Sequence, residues 1–132
     1  MNRICLALLA AAAAAAAAGP AAAQDWSRAQ RVEVRMANFS FAPKVIHLKA
    51  GRPVVLHLVN GASGGHDFTA PSFFDSAALR AQDRGRVDEG SVELSGHQAI
   101  DVALVPRAGR YPLKCSHAFH KVFGMSGEIV VD

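Results

Sequence analysis

Cysteine is scarce in this chain, with two residues, Cys5 and Cys115, among 132. Cys5 lies in an apolar leader, so the folded part keeps a single thiol and a disulfide within one chain is excluded. Aromatic residues are also few, at 7%, and the one tryptophan, Trp26, lies outside every strand-like run. The core must therefore be built mainly of Val, Ile, Leu and Phe. Net charge is small: 14 basic residues against 11 acidic ones leave +3, too little for a surface that captures nucleic acid or an anionic membrane. The sequence shows no internal repeat, phosphate-binding glycine loop, carboxylate pair or nucleophile triad. Low complexity is confined to the alanine-rich start.

What is present begins with an address. MNRICLALLAAAAAAAAAGPAAAQDW opens on Arg3, runs uncharged and apolar from Ile4, and reaches AAA just before Gln24. That order of charged, apolar and small-residue segments predicts a secretory signal peptide over residues 1–23. The rival is an uncleaved anchor, since the run from Ile4 to Ala23 is roughly the 20 residues that cross a bilayer. Alanine is only weakly apolar, which favours cleavage. There is no twin-arginine pair, so the chain is expected to leave the cytoplasm unfolded and to take up any metal outside it. Residues 24–132 then make a single domain, about 109 residues being too few for two. An odd cysteine in an exported protein points to a reactive thiol, an intermolecular bridge or a metal ligand.

Period-two patterning dominates the remainder. RVEVRM (31–36) alternates Val32, Val34 and Met36 with charged residues, as a strand with one wet face does. Runs at 44–49 and 53–60 follow, separated by the turn AGRP, and then a glycine-rich loop from Gly61 to Gly65. Ala70 to Gln82 breaks the pattern and predicts a short helix capped by Ser72 or Asp75 and carrying Phe73, Ala77 and Leu79. Strand signals resume in RVDEGSVEL, QAIDVALV, GRYPLKC and GEIVVD. Seven or eight short strands with one helical excursion in about 109 residues predict an all-β, Greek-key sandwich.

CSHAFHKVFGM, from Cys115 to Met125, concentrates a thiol, two imidazoles and a thioether near the chain's end. Thiolate is a soft donor, and imidazole suits copper, zinc, iron and nickel. Cys115 at a strand end, His120 five residues on and Met125 five beyond that can curl around one ion, with Gly124 letting the backbone turn. A fourth ligand must come from elsewhere, and His66 in GGHDF is the natural candidate. Two histidines, a thiolate and a weak axial thioether make the ligand set of a blue-copper site. Taken singly, Met125 reads as core filler, His66 as a loop histidine and Cys115 as a buried thiol; their combination is what argues for a metal. His47, His57 and His97 read as strand-face or turn residues, Asp67 as a hydrogen-bonding neighbour of His66, and Arg80, Arg84 and Arg86 as a solvated face.

The stretches MANFSFAPKVIHLKAGRPVVLHLVN, HDF and AGRYPLKCSHAFHKVFGMSGEIVV together resemble a small cupredoxin of the plastocyanin and azurin kind, over residues 31–132. The resemblance implies one copper ion cycling between Cu(I) and Cu(II), the ligands His66, Cys115, His120 and Met125, and one-electron transfer without enzymatic catalysis. In that family a proline and often a glycine separate the cysteine from the histidine, whereas here SHAF fills the gap and offers His117. A histidine two residues past the cysteine tends to point away from the same ion, so His120 is preferred and His117 is expected to sit on the rim, tune the site or leave it more exposed. Redox proteins of the cell envelope are the expected partners of a periplasmic monomer, with neither nucleic acid nor stable membrane insertion after the leader is removed. Three alternatives remain: a copper carrier or storage protein using the same ligands, a Cys–His nucleophile pair, and a purely structural sandwich. Zinc could occupy the same donors.

Overall fold

The structure, a computed structural model, describes residues 23–117 and 124–132. Residues 1–22 of the expected leader, and 118–123 with His120, Phe119, Val122 and Phe123, lie outside the described residues. Among the described residues there are ten strands: β1 Gln30–Ala37, β2 Ser40–Ala42, β3 Val45–Leu48, β4 Val54–Asn60, β5 His66–Thr69, β6 Ala78–Leu79, β7 Ser91–Leu94, β8 Ala99–Val105, β9 Gly109–Lys114 and β10 Ser126–Val131. One sheet has the order β2-β1-β4-β8-β6 and the other β3-β10-β9-β5-β7. The pairs β1·β4 and β3·β10 are parallel and the rest antiparallel, so the chain crosses repeatedly between the sheets. The expected sandwich is what forms.

Alternation places the core. In β1 Val34 and Met36 are buried while Glu33 and Arg35 face water, and β4 buries Val54, Leu56 and Leu58 on its inner side. Between the sheets lies a chain of edge-to-face rings, Phe41 on Phe68 at 6.2 Å, Phe68 on Phe74 at 5.9 Å, Phe74 on Phe73 at 5.4 Å and Phe73 on Tyr111 at 5.5 Å. Each such pair adds about 0.5–1.5 kcal/mol beyond its buried area. Among the described residues these five aromatics are buried, while Phe39 is exposed at 41%.

The strands exceed the expected count because β2, β5 and β6 carry no readable period. Two of them are only two or three residues long, and β5, His-Asp-Phe-Thr, is buried on both faces, so polar residues break the apolar run. The helix differs from expectation in its cap and extent. It runs Pro71–Ser76 as α1, opened by Pro71 in the first turn, and Ala70 before it makes no side-chain cap. Proline has the fixed backbone angle and missing N–H that a first helical turn accepts. Phe73 and Phe74 are its buried residues, and Leu79 belongs to β6 instead.

Candidate metal centre

Three strand ends meet at one end of the sandwich. The end of β9 pairs with the start of β10, Lys114 opposite Ser126, and Lys114 also faces Thr69 of β5. Cys115 and Met125 therefore flank the same rung, and the Cys115 N–H donates to the Met125 carbonyl at 3.1 Å. Gly124 before it has φ +80, a left-handed value that glycine adopts without steric cost. Both Cys115 and Met125 have no exposed surface.

His66 arrives by another route. β4 ends at Asn60, which is buried and whose amide reaches the carbonyls of Gly64 at 2.8 Å, Ser95 at 3.1 Å and Leu94 at 3.3 Å. Its Oδ1 accepts from the Ala62 N–H at 3.0 Å. One side chain thus closes the Gly61–Gly65 loop and ties it to the following strand pair, fixing where β5 starts. Gly96 completes the clasp: a Cβ there would lie 2.0 Å from the Ser63 carbonyl oxygen, so only glycine lets the two backbones approach. His66, 1% exposed, then brings Nδ1 to 3.9 Å from Cys115 Sγ.

That spacing suits two ligands of one ion. With metal–sulfur and metal–nitrogen bonds of about 2.3 and 2.0 Å, donors in a trigonal arrangement stand about 3.7 Å apart. The donors present, a buried sulfur, an imidazole nitrogen and a buried thioether residue, fit copper or zinc on chemical grounds. Of the four expected ligands the structure thus gathers His66, Cys115 and Met125 at one end, and His120 lies outside the described residues.

Around the sulfur runs a polar shell. The Asp67 N–H donates to Cys115 Sγ at 3.5 Å. The Asp67 carboxylate accepts from the Ser116 N–H at 2.8 Å, from Thr69 Oγ1 at 2.7 Å, and from the Ser116 hydroxyl in a short hydrogen bond. Asp67, itself 1% exposed, thereby locks the Cys115 loop to the His66 strand. Burial pushes the Cys115 thiol above its ordinary value; the N–H groups of Asp67 and His117 pull it partly back, and the negative charges of Asp67 and Glu93 push it up again. Metal binding must displace that proton.

His117 occupies the rim. Its Nε2 is 2.9 Å from Glu93 Oε1 and 3.7 Å from Asp67 Oδ2, and its ring stacks near that of His66 at 6.3 Å. Asp67, Cys115 and His117 each present a ligand atom within 4.8 Å of the others, a grouping that sequence spacing alone does not reveal. Two further residues escaped sequence reasoning. Asn60 gives only a faint signal, an amide at the end of an apolar strand. Asp83 gives none, and with it the reading of Arg80 and Arg86 as merely solvated changes: both guanidinium groups pair with this buried carboxylate. His47 and His57 lie in β3 and β4, and His97 takes a turn conformation with φ 60, as expected.

Comparison with known proteins agrees with this architecture. The family model described as Cupredoxin-like domain matches residues 4–131. No curated protein matches the chain. Among solved structures the chain is similar to the dithionite-reduced auracyanin of Roseiflexus castenholzii, at 14% identity and TM-score 0.59, over 79% of this chain and 98% of that one. Auracyanin B aligns at 21% identity and TM-score 0.55, over 79% and 89% respectively. Auracyanin A of Chloroflexus aurantiacus, titled a "blue" copper protein, aligns at 16% identity and TM-score 0.53, over 77% and 99%. At such identities the likeness concerns the fold.

Proposed function

Because the chain belongs to the cupredoxin-like domain family, we propose that it is an exported single-electron carrier holding one copper ion between His66, Cys115, His120 and Met125. The observation that carries this reading is the approach of Cys115 Sγ to His66 Nδ1, 3.9 Å apart on strands that are distant in sequence, with both side chains buried. Copper bound by a thiolate, imidazoles and a thioether supplies a one-electron couple.

The chain's own residues supply rigidity. Asn60 holds the His66 loop through Gly64 and Ala62 and ties it to Leu94 and Ser95. Asp67 ties Ser116, and so the Cys115 backbone, to β5. The β9·β10 ladder keeps Cys115 and Met125 on one rung, and the phenylalanine core keeps water from the buried side. Donors that cannot move far between two oxidation states keep the reorganisation of each electron transfer small. No residue is assigned to catalysis. The protein acts as a periplasmic monomer after losing residues 1–23, and redox proteins of the envelope give and take its electrons.

Adding Cu(II) to the purified metal-free protein tests the reading. One ion per chain, an intense visible thiolate band and a reversible one-electron wave are expected, and Cys115→Ser should abolish the band while leaving the far-ultraviolet dichroism unchanged. A copper-treated wild-type sample that stays colourless would sink the proposal.

A further inference from the structure

The four-ligand centre leaves one feature of this end of the molecule unused. Its described ligands are sealed, His66 at 1% exposure and Cys115 and Met125 at none. Beside the sulfur, side chains of metal-binding types lead outward to solvent: Asp67 is buried, His117 is one-third exposed and Glu93 is 62% exposed at its side chain. A hollow of about 430 Å³ opens onto Asp67, Glu93 and Ser116, with Asp88 and Arg86 also on its wall. Three carboxylates against one guanidinium leave that hollow attractive to cations.

We propose that Glu93, His117 and Asp67 form an entry station at which a divalent copper ion binds before it reaches Cys115. The inference rests on the copper reading above and adds the route by which the centre fills. Carboxylate oxygen and imidazole nitrogen are ligands that a hydrated divalent copper ion accepts readily. The donors are spaced as steps: Glu93 Oε1 to His117 Nε2 is 2.9 Å, His117 Nε2 to Asp67 Oδ2 is 3.7 Å, and ligand atoms of Asp67, His117 and Cys115 fall within 4.8 Å of one another. An ion there exchanges its waters for the two oxygens and the nitrogen, then exchanges those for Cys115 Sγ and His66 Nδ1. Its oxidation state does not change, and the thiol proton passes to the buffer as the metal–sulfur bond forms. The stack of His117 on His66, 6.3 Å between rings, puts the giving and receiving imidazoles side by side.

Rapid mixing of the metal-free protein with Cu(II) tests this, with the growth of the thiolate band as the readout. His117→Ala should slow loading about tenfold, the size of effect that supporting residues of metal sites show. Glu93→Gln should slow it about threefold, since its charge acts from an exposed position. Both variants should end with the wild-type band and one ion per chain. Wild-type loading rates in both variants would overturn the entry station while leaving the copper reading intact. A shifted or missing final band in His117→Ala would also overturn it, by making His117 a resident ligand. A wild-type protein that never develops the band fails both readings together.

Discussion

Asp67 and Asp83 are both carboxylates with essentially no exposed surface, and the chain satisfies them in opposite ways. Asp67 is met by hydrogen-bond donors of the backbone and of two hydroxyls, with the His117 ring 3.7 Å away. Asp83 is met by full cations: Arg80 Nε donates to Oδ2 at 2.7 Å, the Ala103 N–H to the same oxygen at 2.9 Å, and Arg86 stands 3.1 Å from Oδ1 as an ion pair without hydrogen-bond alignment. Arg80 immediately precedes the 3-10 turn Ala81–Arg86 and Arg86 ends it, so Asp83 within the turn pins that connection onto β8. Asp67 instead joins two strand ends beside a thiol. One carboxylate is a fastener, and the other sets the surroundings of a buried sulfur.

Truncation should expose the difference. Asp83→Ala leaves two guanidinium groups and an N–H without their acceptor. Breaking a buried pair from one side costs about 3–5 kcal/mol, and because Arg86 can turn to water we expect the lower end, about 3 kcal/mol, in urea unfolding. The same variant should leave the copper-loaded spectrum unchanged; a displaced band would mean that the two carboxylates are coupled. Asp67→Ala should cost less, about 2 kcal/mol, for stranded neutral donors. It should also accelerate alkylation of Cys115 in the metal-free protein, since the Ser116 tether is gone.

Milder changes sharpen the contrast. Asp67→Asn keeps one acceptor oxygen for Ser116 and Thr69, so stability should fall by about 1 kcal/mol while the loaded spectrum shifts, because the charge beside the sulfur is lost. The thiol itself offers a test without metal. Its folded value lies above the ordinary one, chiefly through burial, so at about pH 8 iodoacetamide should react more slowly with the folded protein than with the same chain in urea. Faster reaction in the folded state would contradict the desolvated position of Cys115.

How far the sequence shows this molecule depends on whether a residue's role is periodic. The sandwich is legible because β1, β4, β8 and β10 alternate or run apolar over six to eight residues. The meeting of Cys115, Met125 and His66 at one end is legible because soft donors crowd one loop and GGHDF is where a further donor is expected. Asn60, Asp83 and the Asp67–Ser116 tether are not, since each acts through partners far away in the chain: Asn60 with Ser95, Asp83 with Ala103, Asp67 with Ser116. Hydrogen bonds across a sandwich have no spacing rule, and only the folded register shows them. The rim grouping of Asp67, His117 and Glu93 belongs to the same class.

A third carboxylate, Asp101, completes the series from the exposed side. It lies on β8 opposite His57 of β4, with His57 Nδ1 2.6 Å from Oδ1 and the Arg31 guanidinium 3.1 Å from Oδ2. Partial burial draws its proton affinity up, but the hydrogen bonds from His57 and Arg31 and the charge of Arg31 outweigh it, leaving the carboxyl below its ordinary value. A folded value below the unfolded one means that the native state binds this proton less tightly. Its stabilisation is therefore complete above the unfolded carboxyl value of about 3.9, and it fades as pH falls through the folded value. For a pair this open to water the size is about 0.5 kcal/mol, less in high salt. Urea midpoints of wild type and Asp101→Asn should differ by that small amount near pH 6 and converge towards about pH 3. If the gap instead widened on acidification, Asp101 would be acting as a hydrogen-bond donor in its protonated form, unlike Asp67 and Asp83, which accept.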